Sequence, residues 1–116
     1  MPQRLFIVAA GLVGAAGVAL SAAAAHAGGG NAGTAANFLL LHAPAFLAVG
    51  LLGIGGRVLQ VAALVLLFGL LLFAGDLLAR DYLGGRLFPG AAPAGGFLMI
   101  AGWLGIAAAG FLRSAR

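Results

Sequence analysis

The chain has 116 residues, of which 64% are hydrophobic and 7% are charged, and 21 of them are glycine. Its mean hydropathy is +1.19, and the formal net charge of +4 arises from arginine and aspartate, since lysine and glutamate are absent. So few polar groups could not cover the surface of a water-soluble domain, and no basic run interleaved with aromatic residues indicates nucleic-acid binding. Cysteine is also absent, which excludes disulfides, thiolate ligands and a thiol nucleophile.

Four continuous apolar segments follow one another along the chain, each close to the ~20 residues that cross a bilayer. They lie at about residues 5–25, 36–54, 58–79 and 93–112. Because these segments are continuously apolar rather than alternating, they predict helices and exclude a β-barrel. The predicted fold is therefore all-α, a single domain over residues 1–116 formed by an integral membrane bundle of four transmembrane helices.

The first segment has two interpretations. A short positive N-terminus, an apolar stretch and the tripeptide Ala25-His26-Ala27 follow the pattern of a secretory signal with a cleavage site. The apolar stretch has the length of a membrane span, so we expect an uncleaved first helix. The glycine-rich connection at 28–34 has neither a Walker lysine nor a strand before it, and we interpret it as a flexible linker rather than a phosphate-binding loop.

Small residues recur at helical spacing in the first and fourth segments, where they would let helix backbones approach closely. We interpret these residues as packing positions, within the bundle or between copies of the chain. They are Gly17, Ser21, Ala101, Gly105 and Ala109. Trp103, in the middle of the fourth segment, is interpreted as a large ring that fills a gap against glycine.

The arginines predict the orientation. With four spans, both termini share one side of the membrane with the second connection. That side carries Arg4, Arg57, Arg113 and Arg116. The other side carries Arg80 and Arg86. Since short cytoplasmic loops are enriched in positive residues, we expect both termini in the cytoplasm.

Pro44 creates a polar position within the second segment. The segment is too short to begin at Pro44 and still span, so the proline is expected inside the helix. There it gives no hydrogen bond to the Leu40 carbonyl. A freed carbonyl in lipid needs a partner, and we expect His42 to be its nearest polar neighbour.

The depth of the polar residues predicts one cluster near the outer surface. Its members are His26, His42, Asp76 and Arg80. An ionisable group within a membrane marks a functional site by default. Here we favour mutual hydrogen bonds and an Asp76–Arg80 ion pair that stabilise helix packing. A proton, ion or cofactor role is the alternative. Neither a metal-ligand spacing nor a glycine elbow around Ser21 is present, so we expect no metal site, no catalytic residue and no cofactor.

Short motifs along most of the chain carry a family resemblance. The sequence reads SAAAAHA at 21–27, LHAPAFL at 41–47, FAGDL at 73–77 and PAGG at 93–96, followed by Gly102-Trp103. These motifs resemble, in the same order, those of the YgdD-like small bacterial inner-membrane proteins (domain of unknown function 423). The chain departs from that pattern at Asp76, where the family usually has serine. The resemblance implies a four-helix membrane protein and no established activity.

Two classes of function remain open. The first is an accessory or scaffold subunit without catalytic activity, packed against other subunits of a larger bacterial inner-membrane complex. The alternative is a minimal oligomeric transporter or channel for protons, ions or small solutes. The accessory role is favoured because the first span has no acidic residue and the polar residues are expected near one surface rather than at the midplane. The expected partners are the lipid bilayer and membrane-protein subunits, including further copies of this chain.

Overall fold

The computed structural model of the chain describes residues 2–27, 30–52 and 56–114, which form four α-helices. These helices are α1 (Pro2–Ala27), α2 (Asn31–Leu52), α3 (Arg57–Tyr82) and α4 (Ala91–Ser114). All four are long and apolar enough to cross a membrane. The prediction of an all-α bundle of four transmembrane helices is confirmed.

The second helix begins earlier than the sequence predicted. Asn31 to Thr34, expected to belong to a flexible linker, form the first turn of α2, so the linker prediction is wrong for these residues. Residues 28–29 of that linker lie outside the described part of the chain. Because α2 starts at Asn31, His42 lies in the middle of the helix rather than near one surface. Pro44 lies inside an unbroken α2, as predicted.

Each helix packs on the next one along the chain. The most extensive contacts join α1 to α2 and α3 to α4, and a smaller contact between α2 and α3 connects these two helix pairs. The largest fully buried hydrophobic side chains come from three helices: Phe6, Phe46, Leu66 and Leu70. The resulting bundle measures 50 × 27 × 20 Å along its principal axes.

Glycines allow the backbones of α3 and α4 to touch. A Cβ atom placed on Gly95 would lie 2.6 Å from the backbone nitrogen of Phe73 and 2.8 Å from the carbonyl oxygen of Gly69. One placed on Gly102 would lie 2.8 Å from the Cα of Leu66. Apolar burial does not drive helix association in lipid, so such close contacts are a main source of stability.

Some of the predicted packing positions lie at close helix contacts inside the bundle, and others lie at its surface. A Cβ atom on Gly17 would lie 2.7 Å from a leucine of α2, and one on Gly105 would lie 2.7 Å from an alanine of α3. Ala109 is also buried, whereas Ser21 is half-buried and Ala101 is exposed. A larger residue at Gly105 would therefore disturb the contact between α3 and α4 within the chain itself.

Candidate functional site

The carboxylate of Asp76 forms the first buried polar centre, in the last turns of α3. Asp76 is 0% exposed. Its Oδ2 accepts hydrogen bonds from Arg80 Nη2 at 2.8 Å and Arg80 Nε at 3.2 Å. Its Oδ1 accepts a hydrogen bond from the backbone N–H of Leu87 at 2.8 Å. The carboxylate therefore ties α3 to the connection that leads into α4.

That connection folds back over the end of α3. Gly84 and Gly90 have φ values of 84° and 83°, which only glycine adopts readily, and they allow the backbone to reverse. Leu87 packs near Gly75, where a Cβ atom would lie 3.6 Å from Leu87 Cδ1. The side chain of Arg80 is 30% exposed, so it compensates the buried charge while reaching towards water.

His42 forms the second buried polar centre, in the middle of α2. Its Nδ1 lies 2.8 Å from the Phe38 carbonyl oxygen, and its Nε2 lies 3.1 Å from Trp103 Nε1. An indole N–H can only donate, so Nε2 must be the acceptor and carry no proton. Nδ1 therefore carries the ring proton and donates it to the Phe38 carbonyl. This hydrogen-bond network assigns His42 as a neutral imidazole.

The carbonyl partner of His42 differs from the predicted one. Pro44 gives no hydrogen bond to the Leu40 carbonyl, but the imidazole binds the carbonyl of Phe38 instead. A helical side chain points back towards the preceding turn, so the ring of His42 reaches the carbonyl four residues before it. The polar partners of His42 thus come from the preceding turn of α2 and from α4.

An aromatic groove adjoins the His42–Trp103 pair at the surface of the bundle. It has a volume of about 460 Å³, and its walls include Phe38, Phe73, Phe97 and Trp103 beside His42. The rings of Phe38 and Phe73 lie 4.7 Å apart, and those of His42 and Trp103 lie 5.6 Å apart. Phe97 is 72% exposed at this groove. Apart from the imidazole and the indole N–H, the lining is apolar.

Asp81 is a structural residue that sequence reasoning missed. Its Oδ1 accepts a hydrogen bond from Asn31 Nδ2 at 3.0 Å, and its Oδ2 accepts one from the backbone N–H of Ala32 at 2.7 Å. A carboxylate at the first turn of α2 satisfies a free backbone donor and complements the positive end of the helix. The last turn of α3 is thereby fixed to the first turn of α2. No local signal in the sequence indicates this long-range cap.

The structure divides the predicted polar cluster. Asp76 and Arg80 are joined by side-chain hydrogen bonds, whereas both ring nitrogens of His42 bind other partners, Phe38 and Trp103. His26 lies at the exposed end of α1. The depth argument placed His42 about two turns from one end of its helix, but α2 starts at Asn31, so the histidine lies in the middle of that helix. Trp103, interpreted from the sequence as a gap filler, is the hydrogen-bond partner of this histidine.

The described residues contain no group of three or more His, Cys, Asp or Glu side chains that could hold a metal ion.

A family model described as "Protein of unknown function (DUF423)" matches residues 13–96. The chain belongs to the DUF423 family. We found no matching chain among curated proteins or among solved structures.

The matched region covers only part of the site in this DUF423 protein. It runs from α1 to the first turns of α4 and includes His42, Asp76 and Arg80. It ends at Gly96, so Trp103 lies beyond it. The His42–Trp103 pair therefore joins a residue inside the matched region to one outside it, and the family description gives it no role.

Proposed function

We propose that this DUF423 protein is an accessory or scaffold subunit without catalytic activity, packed against larger partners in a bacterial inner membrane. The observation that carries the proposal is that its buried polar side chains already have partners within the chain. Asp76 binds Arg80 and Leu87, and His42 binds Phe38 and Trp103. Among the described residues, no buried side-chain nitrogen or oxygen lacks a hydrogen bond.

Such an arrangement supports stability rather than turnover. General acid–base catalysis and proton transfer need an ionisable side chain that can gain and lose a proton during the cycle. The Asp76 carboxylate is held by three donors and covered by a loop, and the His42 ring uses both of its nitrogens. The aromatic groove beside Phe97 then offers the surface against which a transmembrane helix of a partner would pack.

Photo-crosslinking in intact membranes tests the accessory role. A photo-crosslinking amino acid in place of Phe97 probes the groove, and the same amino acid in place of Leu12, exposed on α1, provides a matched lipid-facing control. We expect a discrete crosslinked protein from position 97 and none from position 12. Absence of a protein adduct at both positions, together with recovery of the free chain after mild extraction, would contradict the proposal.

A minimal oligomeric transporter or channel is the second candidate, and one observation favours it. His42 lies in the middle of α2, and transporter sites usually lie near the bilayer midplane. Proton and ion flux into proteoliposomes separates the two functions. A flux that is abolished by His42→Gln while the protein stays folded would favour the transporter, and no flux above empty vesicles favours the accessory subunit.

For the orientation, we propose that both termini are cytoplasmic. The excess of arginine on their side supports this assignment. The chain has no native cysteine, so single-cysteine variants can be labelled without background. Two exposed positions are suitable for labelling: Leu83, in the α3–α4 connection, and Gly56, the residue before α3. Each is replaced by cysteine in a separate variant. A membrane-impermeant thiol reagent should label Leu83→Cys in intact cells and Gly56→Cys only after lysis; the reverse pattern would invert the topology.

A further inference from the structure

A second groove lies at the opposite end of the α3–α4 pair, where α3 begins. It has a volume of about 430 Å³ and is apolar apart from one cation. It is lined by Arg57, Val58, Val61, Ala62, Val65, Ala101 and Gly105. Its position differs from that of the aromatic groove, and neither the family match nor the proposed accessory role assigns it a ligand.

The shape of this groove follows from the small residues at its floor. A Cβ atom on Gly105 would lie 2.7 Å from the Cβ of Ala62, so the two helices cross closely there. Val58 and Val61, both exposed, form a wall beside this crossing. From Arg57 to Val65 the helix rises about 12 Å. That length covers most of one leaflet of a hydrocarbon core about 30 Å thick.

Within the described part of the chain, the charge at the mouth of the groove has no carboxylate side chain as a counter-ion. The protein has two acidic residues, Asp76 and Asp81, and both lie near the other end of α3. From Arg57 to Asp76 the helix rises about 28 Å, far beyond the reach of an ion pair. Arg57 is exposed and begins α3, whose N-terminus adds a partial positive charge. Neither acidic side chain of the protein can therefore supply an anion at this site.

We propose that this groove binds an anionic phospholipid, with one acyl chain along Val58, Val61 and Ala62 and the phosphate on Arg57. A guanidinium matches a phosphate with two parallel hydrogen bonds, and an arginine at the end of a membrane helix lies at headgroup depth. The valines, together with the close α3–α4 crossing, provide an apolar channel that starts directly below the charge. Charge and shape thus select the same ligand.

Lipid retention tests the proposal on the full-length protein. The protein is reconstituted in vesicles of phosphatidylglycerol and phosphatidylcholine in equal amounts, re-extracted in mild detergent, and its bound lipids are measured by mass spectrometry. We expect phosphatidylglycerol to be enriched. Arg57→Gln should lower that enrichment about fivefold, the effect expected for one cation at an anionic lipid surface. Arg57→Lys, which keeps the charge, should retain most of it.

Matched variants separate the groove from general attraction to the membrane. Arg4→Gln removes the same charge from the start of α1, on the same side of the bundle but outside the groove, and should lower the enrichment much less than Arg57→Gln. Val61→Phe fills the groove and should lower the amount of retained phosphatidylglycerol, whereas Leu64→Phe, exposed elsewhere on α3, should not. Circular dichroism of each variant establishes that it remains folded.

Three outcomes would overturn the proposal. The first is retention of the two lipids in the proportion supplied, and the second is an equal loss of enrichment in Arg4→Gln and Arg57→Gln. The third concerns protein purified directly from cell membranes. If a protein that co-purifies with the wild-type chain is lost from the Arg57→Gln preparation while the lipid ratio stays constant, the groove binds a protein partner instead.

Discussion

Asp76 and His42 are both buried polar residues of one apolar bundle, yet they are stabilised in different ways. Asp76 lies near the end of α3, keeps its charge and is compensated by Arg80, whose side chain extends towards water. His42 lies at the centre of α2, is neutral and is held by a carbonyl and an indole N–H. Depth accounts for the difference, since a charge becomes more costly towards the bilayer centre.

The two centres also differ in what they connect. Asp76 binds residues close to it in the sequence and fastens the α3–α4 connection. His42 connects α2 to α4, two helices from different pairs, through Trp103. The charged centre therefore secures a local turn, while the neutral centre secures the arrangement of the two helix pairs. Both depend on close packing of α3 against α4.

The largest effect is expected from Gly95→Ala, which should disturb both centres together. Its new Cβ atom would lie 2.6 Å from a backbone nitrogen of α3, so the helices must separate. Over-packing of this kind costs about 1–3 kcal/mol. Gly96→Ala is the matched control, because a Cβ atom there meets nothing within 4 Å. Unfolding in lipid nanodiscs should show a loss only for Gly95→Ala, and equal stability of the two variants would contradict the close contact.

The next effect concerns the charged centre, where two variants separate its roles. Asp76→Ala removes the carboxylate that accepts hydrogen bonds from Arg80 and from the Leu87 N–H, so the midpoint of thermal unfolding should fall by several degrees. Asp76→Asn keeps an oxygen for the Leu87 N–H and loses the ion pair, so it should retain most of the function and stability. Hydrogen exchange at the Leu87 amide is the direct measurement: protection should persist in Asp76→Asn and disappear in Asp76→Ala. Rapid exchange in the wild-type protein would disprove the predicted loop anchor.

The neutral centre should contribute less to stability. Trp103→Phe keeps an aromatic ring and removes the N–H, and side-chain hydrogen bonds between membrane helices are worth about 0.6 kcal/mol on average. His42→Leu removes the acceptor of the same hydrogen bond, the imidazole Nε2. Trp103 is the sole tryptophan of the chain, so its fluorescence reports the pair directly. Emission should shift to shorter wavelength in His42→Leu, and an unchanged spectrum would show that the indole has no such partner.

A similarly small effect, but one that depends on salt, is expected at the exposed cap formed by Asp81. Asp81→Asn keeps an acceptor for Ala32 but removes a negative charge from the N-terminal end of α2. A charge at a helix terminus is worth about 0.3–1 kcal/mol at low ionic strength. The difference in unfolding free energy should shrink at high salt, because the charge is exposed. A salt-independent difference would indicate that the hydrogen bonds, rather than the charge, carry the effect.

The sequence predicted the features that depend on local composition. Continuous apolar segments are sufficient to indicate four spanning helices, because helical backbone must satisfy its own hydrogen bonds in lipid. The spacing of Asp76 and Arg80 predicted their contact for a similar reason, since residues four apart share a helix face. Pro44 could be placed inside α2 from the length that a span requires.

Tertiary structure alone decided the partners of the remaining polar groups. Asp81 reaches Asn31 across 50 residues, and Trp103 reaches His42 across 61. Hydropathy and helical periodicity specify which face of one helix is small or polar, but they do not specify the relative depth and rotation of two helices. Because α2 begins one turn earlier than expected, His42 lies in the middle of that helix, and its partner is the indole of α4 rather than a carboxylate.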